Sequence, residues 1–251
     1  MKKSYVVFLM IVFILSSCTS GPIDRDAETK PSIDQDHTAT PRPTRMPTAT
    51  PYSCDDEIAI NNDWTTVYCD NFEDNRNNWA DEDTDNLATS MYVIEDGMLV
   101  VDFTGKVNQG YQSGVIQWTN IANVREFTVS IRGEIISNFD NVTWGINFLG
   151  DDDKFYSFML SNVGTYWLQM LDNDGWKDLI PIKSHSALNW DDVNELTIEV
   201  SGDQFNFYIN GTLVDSYSAS ALSGDELSLA IWAAEGVAAR LEFDDLVVKV
   251  P

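Results

Sequence analysis

The long C-terminal part of the chain alternates apolar and polar side chains with a period of two. In the segment DQFNFYIN, Phe205, Phe207 and Ile209 fall on one side of the pattern, and the intervening residues fall on the other. The segments EFTVSIRGEII, NELTIEV and VTWGINF repeat this alternation. Because successive side chains of a strand point to opposite faces of a sheet, the pattern predicts antiparallel strands with one buried face.

Short turn motifs separate the alternating segments. Asn210-Gly211 lies between FNFYI and TLVDSY, and Asp96-Gly97 lies between MYVIE and MLVVDF. Both dipeptides tolerate positive φ and favour two-residue hairpin turns. About a dozen short strands at this spacing predict an all-β domain over 54–251, folded as an antiparallel two-sheet jelly-roll β-sandwich.

The N-terminus reads MKKSYVVFLMIVFILSSCTS, with two lysines before a short apolar run. The run is shorter than the roughly 20 residues that span a bilayer, and it fits the h-region of an export signal. The motif LSSC resembles a bacterial lipobox, which implies a signal peptide at 1–17, cleavage before Cys18 and acylation of that cysteine. The alternative is an ordinary signal peptide with a coincidental cysteine. We expect an extracytoplasmic protein that a lipid anchors to a bacterial membrane.

Residues 18–53 are rich in Thr and Pro and lack aliphatic periodicity. This composition cannot bury a core, so it predicts a disordered linker between the anchor and the domain. Cys54 and Cys69 form an even pair in an exported chain. We expect them to form a disulfide, which would contribute about 3 kcal/mol by closing a loop of this size.

The folded region is strongly acidic. Residues 54–251 hold nine Lys and Arg against 35 Asp and Glu, a formal charge of −26. Such a surface repels phosphates, so we expect no nucleic-acid partner. The sequence contains no phosphate-binding glycine motif and no dinucleotide fingerprint. We expect a monomer that meets the membrane only through its lipid anchor.

A family resemblance rests on a series of segments in a fixed order. The segments WGINFLGDDDKFYSFMLSNVGTYWLQML, VNELTIEVSGDQFNFYINGTLV, SGDELSLAIWA and LEFDDLVVKV resemble the concanavalin A-like lectin/glucanase superfamily. Among its members the chain is most similar to laminin G-like and 3-keto-disaccharide-hydrolase-like jelly rolls of bacterial surface proteins. The resemblance implies the sandwich fold, which hosts lectins, hydrolases, adhesion modules and structural spacers. In the last segment the alternation changes frame at Asp244-Asp245, which predicts a β-bulge.

Three consecutive aspartates lie in the segment NFLGDDDKFYSFML. Gly150 precedes them and strands are expected on either side, so a solvated hairpin tip is the first interpretation. Some laminin G-like relatives bind calcium through loop carboxylates and carbonyls. The alternative is therefore a partial calcium site at Asp151 and Asp153, completed by another loop. Calcium is therefore the one cofactor that the sequence leaves open.

Catalytic residues are not predicted. Glucanases of the superfamily carry the pattern E-x-D-x-x-E on one strand, whereas here Glu242 and Asp244 have no third acid and Val247 takes its place. The histidine His185 lies in a polar, loop-like segment, and no nucleophile motif of the G-x-S-x-G kind occurs. A glycoside hydrolase of the 3-keto-disaccharide-hydrolase-like type is the alternative that we keep open.

Aromatic residues are abundant, with eight Trp and nine Tyr. Sugar-binding proteins stack pyranose rings on such side chains, although many aromatic residues of a sandwich fill its core. We predict a ligand-binding set formed by Trp167, Tyr156 and Tyr208 beside Asn147 and Gln169. The predicted function is a surface lipoprotein whose sandwich binds a polysaccharide or glycan, or mediates adhesion, without catalysis. A structural spacer with no small ligand is the third possibility.

Overall fold

A computed structural model describes part of the chain, within 60–251. It divides into two units, Met1–Ala49 and Thr50–Pro251, and every described residue lies in the second unit. For 81–84, 110–116 and 151 only the backbone is described. The described ranges are 60–61, 63–79, 81–84, 88–106, 110–116, 124–137, 141–151, 154–161, 163–190, 192–219, 224 and 226–251.

The described residues form fifteen strands and no helix. In chain order the strands are β1 (Thr65–Asp70), β2 (Asp81–Thr84), β3 (Ala88–Glu95), β4 (Met98–Gly105), β5 (Gly110–Ile116), β6 (Glu126–Ile135), β7 (Val142–Asp151), β8 (Lys154–Ser161), β9 (Thr165–Asp172), β10 (Gly175–Ser184), β11 (Asn194–Ser201), β12 (Gln204–Ile209), β13 (Thr212–Ser218), β14 (Glu226–Ala233) and β15 (Ala238–Val250).

The strands form two antiparallel sheets. The larger sheet has nine strands in the order β13-β12-β11-β6-β15-β4-β3-β2, and β1 also pairs with β15. The smaller sheet has six strands in the order β10-β9-β8-β7-β14-β5. This arrangement confirms the predicted all-β jelly-roll sandwich.

Both predicted two-residue hairpins are present. Ile94 pairs with Leu99 across the turn at Asp96-Gly97, where φ is 54° and 74°. Strands β12 and β13 meet at Asn210-Gly211, where φ is 50° and 72°. Positive φ at both central residues is what a type I′ turn requires, and Asn, Asp and Gly adopt it at little cost.

The predicted β-bulge lies in β15. The register of β15 against β6 shifts between Asp244 and Val247, and Asp245 has a φ of 52°. Before the bulge β15 pairs with β4 up to Phe243, and after it β15 pairs with β1 from Leu246. The extra residue at the bulge lets the strand direct apolar side chains into the core on both sides of it, since Phe243 and Leu246 are both buried in the core.

Aromatic contacts join the two sheets. Phe158 of β8 stacks on Phe207 of β12 with ring centroids 4.2 Å apart and an interplanar angle of 8°. Trp144 of β7 meets Phe243 of β15 edge-on at 5.4 Å. All four rings are buried, and full burial of such a side chain contributes about 1.5–3 kcal/mol. Gly133 lets these rings approach, because a Cβ there would lie 2.8 Å from both Trp144 and Phe243.

A buried carboxylate closes the turn after β1. Asp70 is 3% exposed, and its Oδ1 accepts a hydrogen bond from the Phe72 N–H at 2.8 Å. Its Oδ2 accepts hydrogen bonds from Nε1 of Trp79 at 2.8 Å and Nδ2 of Asn77 at 2.5 Å. These bonds hold Phe72, whose φ is 51°, against the core.

Several predictions concern residues outside the described part of the chain. Cys18 and the linker lie there, and so does Cys54, whereas Cys69 lies in β1. The lipid anchor and the Cys54–Cys69 disulfide therefore stay predictions. Within the described ranges, no helix has the length and hydropathy needed to cross a membrane.

Candidate functional site

A row of polar side chains crosses the outer face of the smaller sheet. Strand register places Ser228 of β14 beside Asn147 of β7, and Asn147 beside Ser157 of β8. The row continues to Gln169 of β9 and Asp178 of β10. Each of these residues follows or precedes a core residue of its strand, so alternation directs its side chain away from the core. We call this set the polar row.

Hydrogen bonds connect the two ends of the polar row to their neighbours. At the β10 end, Nε1 of Trp167 donates to Oε1 of Gln169 at 3.2 Å, and Nε2 of Gln169 donates to Oδ1 of Asp178 at 2.8 Å. At the other end, Nδ2 of Asn147 donates to Oγ of Ser228 at 3.0 Å. The bonds therefore fix the amide orientation of Gln169.

Apolar side chains flank the polar row at its β10 end. On one side, Phe155, Leu171 and Trp176 are cross-strand neighbours, and the rings of Phe155 and Trp176 meet edge-on at 5.6 Å. On the other side, Trp167 lies beside Met159 in the register of β9 and β8. Each flanking row is two residues along the strand from the polar row, a separation of roughly 7 Å.

The polar row is buried in its middle and open at the β10 end. Asn147 is 4% exposed and Ser157 is 1% exposed, whereas Gln169 is half-buried and Asp178 is exposed. Trp176 is 43% exposed, which is high for a tryptophan. A ligand would therefore meet Trp167, Gln169, Asp178 and the Phe155–Trp176 pair first.

Two buried hydroxyls on this side of the smaller sheet have no hydrogen-bond partner among the described residues. Oγ of Ser157 is buried between Asn147 and Gln169 in the row, and Oγ1 of Thr143 on β7 is in the same condition. A buried polar atom without a partner costs about 1–3 kcal/mol. Both oxygens are enclosed by the surrounding protein, so a ligand on the outer face would not contact them.

The described acidic residues of this face lie too far apart to act as a glycosidase pair. Among the described outward positions of β7–β10 and β14, the carboxylates are Asp178 on β10 and Glu226 on β14, at opposite ends of the order β10-β9-β8-β7-β14. Four strand spacings separate them by about 19 Å. Glycoside hydrolysis needs two carboxyl groups about 5–9.5 Å apart.

The structure places two members of the predicted ligand set apart from the other three. Tyr156 is 2% exposed and packs against Phe148 and Phe205 in the core, so its ring cannot stack on a ligand. Its pKa is raised, chiefly because burial disfavours the phenolate. Tyr208 lies on β12 of the larger sheet, away from the polar row. Of the five predicted residues, Trp167, Gln169 and Asn147 are brought together.

Tyr208 instead belongs to a hydrogen-bond network on the outer face of the larger sheet. Its hydroxyl donates to Oε2 of Glu199 at 3.0 Å, and Nδ2 of Asn206 donates to the same oxygen at 2.9 Å. Nδ2 of Asn61 donates to Oε1 of Glu199 at 3.0 Å. Burial opposes ionisation of Glu199, but the three hydrogen bonds lower its pKa below the usual value.

A depression of about 510 Å³ lies on the outer face of the larger sheet, among residues that include Thr89, Met91 and Arg240. The guanidinium of Arg240 lies 2.8 Å from Oε2 of Glu95 and 3.7 Å from Oε1 of Glu242. The Glu95 carboxylate raises the pKa of Arg240. Because this cation already has acidic partners, the depression offers less to a polar ligand than the polar row does.

The predicted calcium site is not tested by the structure. Asp151 pairs with Lys154 at the end of the β7–β8 hairpin, which agrees with a hairpin tip. The side chain of Asp151 and the whole of Asp153 lie outside the described part. Within that part, no group of three or more His, Cys, Asp or Glu side chains could hold a metal ion. His185 follows β10, and its Nδ1 accepts a hydrogen bond from the Ala187 N–H at 3.1 Å.

Sequence reasoning missed Trp176, Asp178 and Ser157. In the segment GWKDLI, Trp176 and Asp178 alternate with Lys177, so their common side was visible. The missing information was the pairing of Asp178 with Gln169 and of Trp176 with Leu171, which depends on how β9 and β10 fold together.

Comparisons with known proteins show a likeness of fold. No family model matches the chain, and no curated protein matches it. A solved structure described for endo-acting O-glycanases of the human gut microbiota, which initiate mucin breakdown, is 8% identical with a TM-score of 0.53, covering 74% of this chain and 99% of that one. The CBM2 module of the evolved Dit protein of Lactobacillus casei BL23 phage J-1 is 14% identical with a TM-score of 0.50, covering 74% and 95%.

The sheet order, the inter-sheet aromatic core and these likenesses define one class of fold. The chain forms an antiparallel two-sheet jelly-roll β-sandwich, the fold that the sequence resemblance implied.

Proposed function

We propose that the outer face of the smaller sheet binds a carbohydrate without cleaving it. The observation that carries this proposal is the hydrogen-bonded chain Trp167–Gln169–Asp178, which places an indole, an amide and a carboxylate side by side on an open face. A few well-placed polar groups beside aromatic rings are typical of sites that bind small polar ligands.

The chemistry of the face matches the two kinds of surface on a sugar. The C–H face of a pyranose packs on an aromatic ring, and Trp167 and Trp176 supply such rings on either side of the polar row. Sugar hydroxyls exchange hydrogen bonds with amides and carboxylates, which Gln169 and Asp178 supply.

The solved structures with the same fold are consistent with this proposal. One is a CBM2 module and the other is described for glycanases. Non-catalytic binding is the better-supported reading of the two, because the described acids of the face are about 19 Å apart. A structural spacer with no small ligand would not require Trp167, Gln169 and Asp178 to lie side by side on an open face.

The proposal also includes the cellular location of the protein. Acylation at Cys18 would anchor the chain to a bacterial membrane, and the Thr/Pro-rich linker 18–53 would hold the sandwich away from it. The Cys54–Cys69 disulfide would join the end of the linker to β1. Metabolic labelling with a fatty-acid analogue tests the anchor, because wild type should incorporate the label and Cys18→Ser should not.

Binding to polysaccharide is tested with Trp167→Ala. We expect the variant to lose about tenfold in affinity for the best ligand among insoluble cellulose, chitin and mixed β-glucan, because the stacking ring is gone. The melting temperature should change little, since Trp167 is not part of the core. Pull-down isotherms and thermal unfolding measure the two quantities.

Tyr208→Leu is the matched control, because it removes an aromatic residue from the outer face of the other sheet. It should leave retention unchanged. If Trp167→Ala binds like wild type, or if Tyr208→Leu is the variant that loses binding, the outer face of the smaller sheet is not the site.

A further inference from the structure

We infer that this face accepts uncharged glycans and rejects anionic ones, and that Asp178 is the residue that discriminates between them. The inference rests on the proposed function and names the class of ligand for the same face. The observations behind it are the charges that point outward from the smaller sheet and the partners that the nearby lysines already have.

The outward positions carry negative charge and no positive charge among the described residues of β7–β10 and β14. The two acids are Asp178 and Glu226, and the other outward residues are polar, apolar or aromatic.

The lysines near the face do not offer a cationic site for a ligand. Nζ of Lys177 lies 2.5 Å from Oδ2 of Asp172, and Nζ of Lys183 lies 2.5 Å from Oδ2 of Asp215. Lys154 alternates with the outward Phe155 on β8, so it belongs to the other side of the strand. A carboxylate or sulfate on a ligand would therefore meet Asp178 without a compensating cation.

The hydrogen-bonded chain fixes what Asp178 presents to a ligand. Gln169 accepts from Trp167 through its oxygen and donates to Oδ1 of Asp178 through its nitrogen. Asp178 is exposed, and the oxygens of an ionised carboxylate can only accept hydrogen bonds. A sugar hydroxyl can donate to it, whereas an anionic substituent cannot and is repelled at contact distance.

The discrimination is local, not a general effect of net charge. At physiological ionic strength, charges more than about 8 Å apart are largely screened, so most of the formal charge of −25 acts weakly at this face. Asp178 lies in the row between Trp167 and Trp176, about 7 Å along the strands from each ring, so a ligand that extends from either ring onto the polar row would contact it. Removing its charge should therefore change selectivity more than removing another surface charge.

The test uses the full-length chain and pairs of probes that differ in charge. The pairs are hydroxyethyl cellulose with carboxymethyl cellulose, dextran with dextran sulfate, and chitin oligosaccharides with their amino, deacetylated forms, all immobilised on one array. Asp178→Asn is compared with Asp174→Asn, which removes the same charge from a side chain that is 84% exposed in the β9–β10 turn.

We expect wild type to bind at least one uncharged probe, and to bind its anionic partner at least about tenfold more weakly. Asp178→Asn should narrow that ratio by roughly threefold or more at moderate salt, and Asp174→Asn should leave it unchanged. Equal binding of an uncharged probe and its anionic partner overturns the inference but not the proposed function. Tighter binding of the amino probe than of its acetylated form supports the inference, because the Asp178 carboxylate attracts a cation. If wild type binds none of the probes, the proposed function itself is overturned.

Discussion

Oε1 of Gln169 accepts a hydrogen bond from the indole of Trp167, while the amide nitrogen of the same side chain donates to Asp178. One amide therefore orients an aromatic ring and a carboxylate that belong to different strands. A single side chain determines the geometry of the most open part of the polar row.

Gln169→Leu should weaken carbohydrate binding while the domain stays folded. The change removes the acceptor of Trp167 and the donor to Asp178, so both groups lose their common orientation. We expect a fall in affinity of about tenfold for the ligand that wild type binds best. Isothermal titration or array binding measures the loss, and circular dichroism checks the fold.

Gln169→Glu keeps the shape of the side chain and the acceptor for Trp167, but it places a second carboxylate beside Asp178. The affinity of this variant for the same ligand should fall as well. Unchanged affinity in both variants would show that the orientation of Trp167 and Asp178 has no part in recognition.

Asp70→Ala should destabilise the domain. The substitution removes the acceptor of the Phe72 N–H, of Asn77 and of Trp79, in a place that water hardly reaches. A buried donor left without a partner costs about 1–3 kcal/mol, so a total of about 3 kcal/mol is expected. Urea unfolding measures the free energy, and Asp74→Ala, at an exposed ion pair with Arg76, should change it little. A stability equal to wild type would contradict the assigned role.

Gly133→Ala should also destabilise the domain, through crowding of the core. The added Cβ would lie 2.8 Å from atoms of Phe243 and Trp144, and neither ring can move away without repacking of the core. Overpacking of this kind costs about 1–3 kcal/mol. In a double-mutant cycle, Phe243→Leu should recover part of the loss, and strict additivity of the two changes would argue against the contact.

Tyr166 should make stability fall at high pH. Its hydroxyl donates to the Val214 carbonyl at 3.1 Å, and burial together with Asp215 raises its pKa to about 12 from 10.0. Because the unfolded state loses this proton first, the stabilisation is complete below about pH 10 and disappears as pH approaches 12. Tyr166→Phe should flatten the decline between about pH 9.5 and pH 11.5 by at most about 2 kcal/mol.

Urea titrations across that pH range measure the effect. Part of the decline should persist in Tyr166→Phe, because burial and the nearby Asp70 raise the pKa of Tyr68 to about 12 as well. An identical slope in wild type and variant would exclude a contribution from Tyr166.

The fold was predictable because its signals are local. Alternation in DQFNFYIN and the φ-tolerant pair Asn210-Gly211 each determine structure within a few residues, and the frame change at Asp244-Asp245 located the bulge. Tyr156 was also predictable as a core residue, since it shares its side of β8 with Phe158 and Leu160. The ligand hypothesis overlooked that alternation.

The membership of the site depends on strand order, which is not a local property. Alternation correctly gave Tyr208 an outward position, but only the order of the sheets shows that β12 belongs to the larger one. The same holds for Asp178, whose relation to Gln169 comes from the pairing of β9 with β10. The sequence shows which side of its strand a residue faces, whereas the sheet to which the strand belongs depends on the whole fold.

The pairing of β1 with β15 has a mechanical consequence. The first and last described strands are neighbours in the larger sheet, while the polar row lies on the smaller one. Tension along the segment before β1 would load the hydrogen bonds between these two strands, and it would reach the opposite layer only across the aromatic interior. If the polar row holds a ligand under shear, the force would therefore act on the packing between the two sheets. It would not act directly on the hydrogen bonds of the polar row.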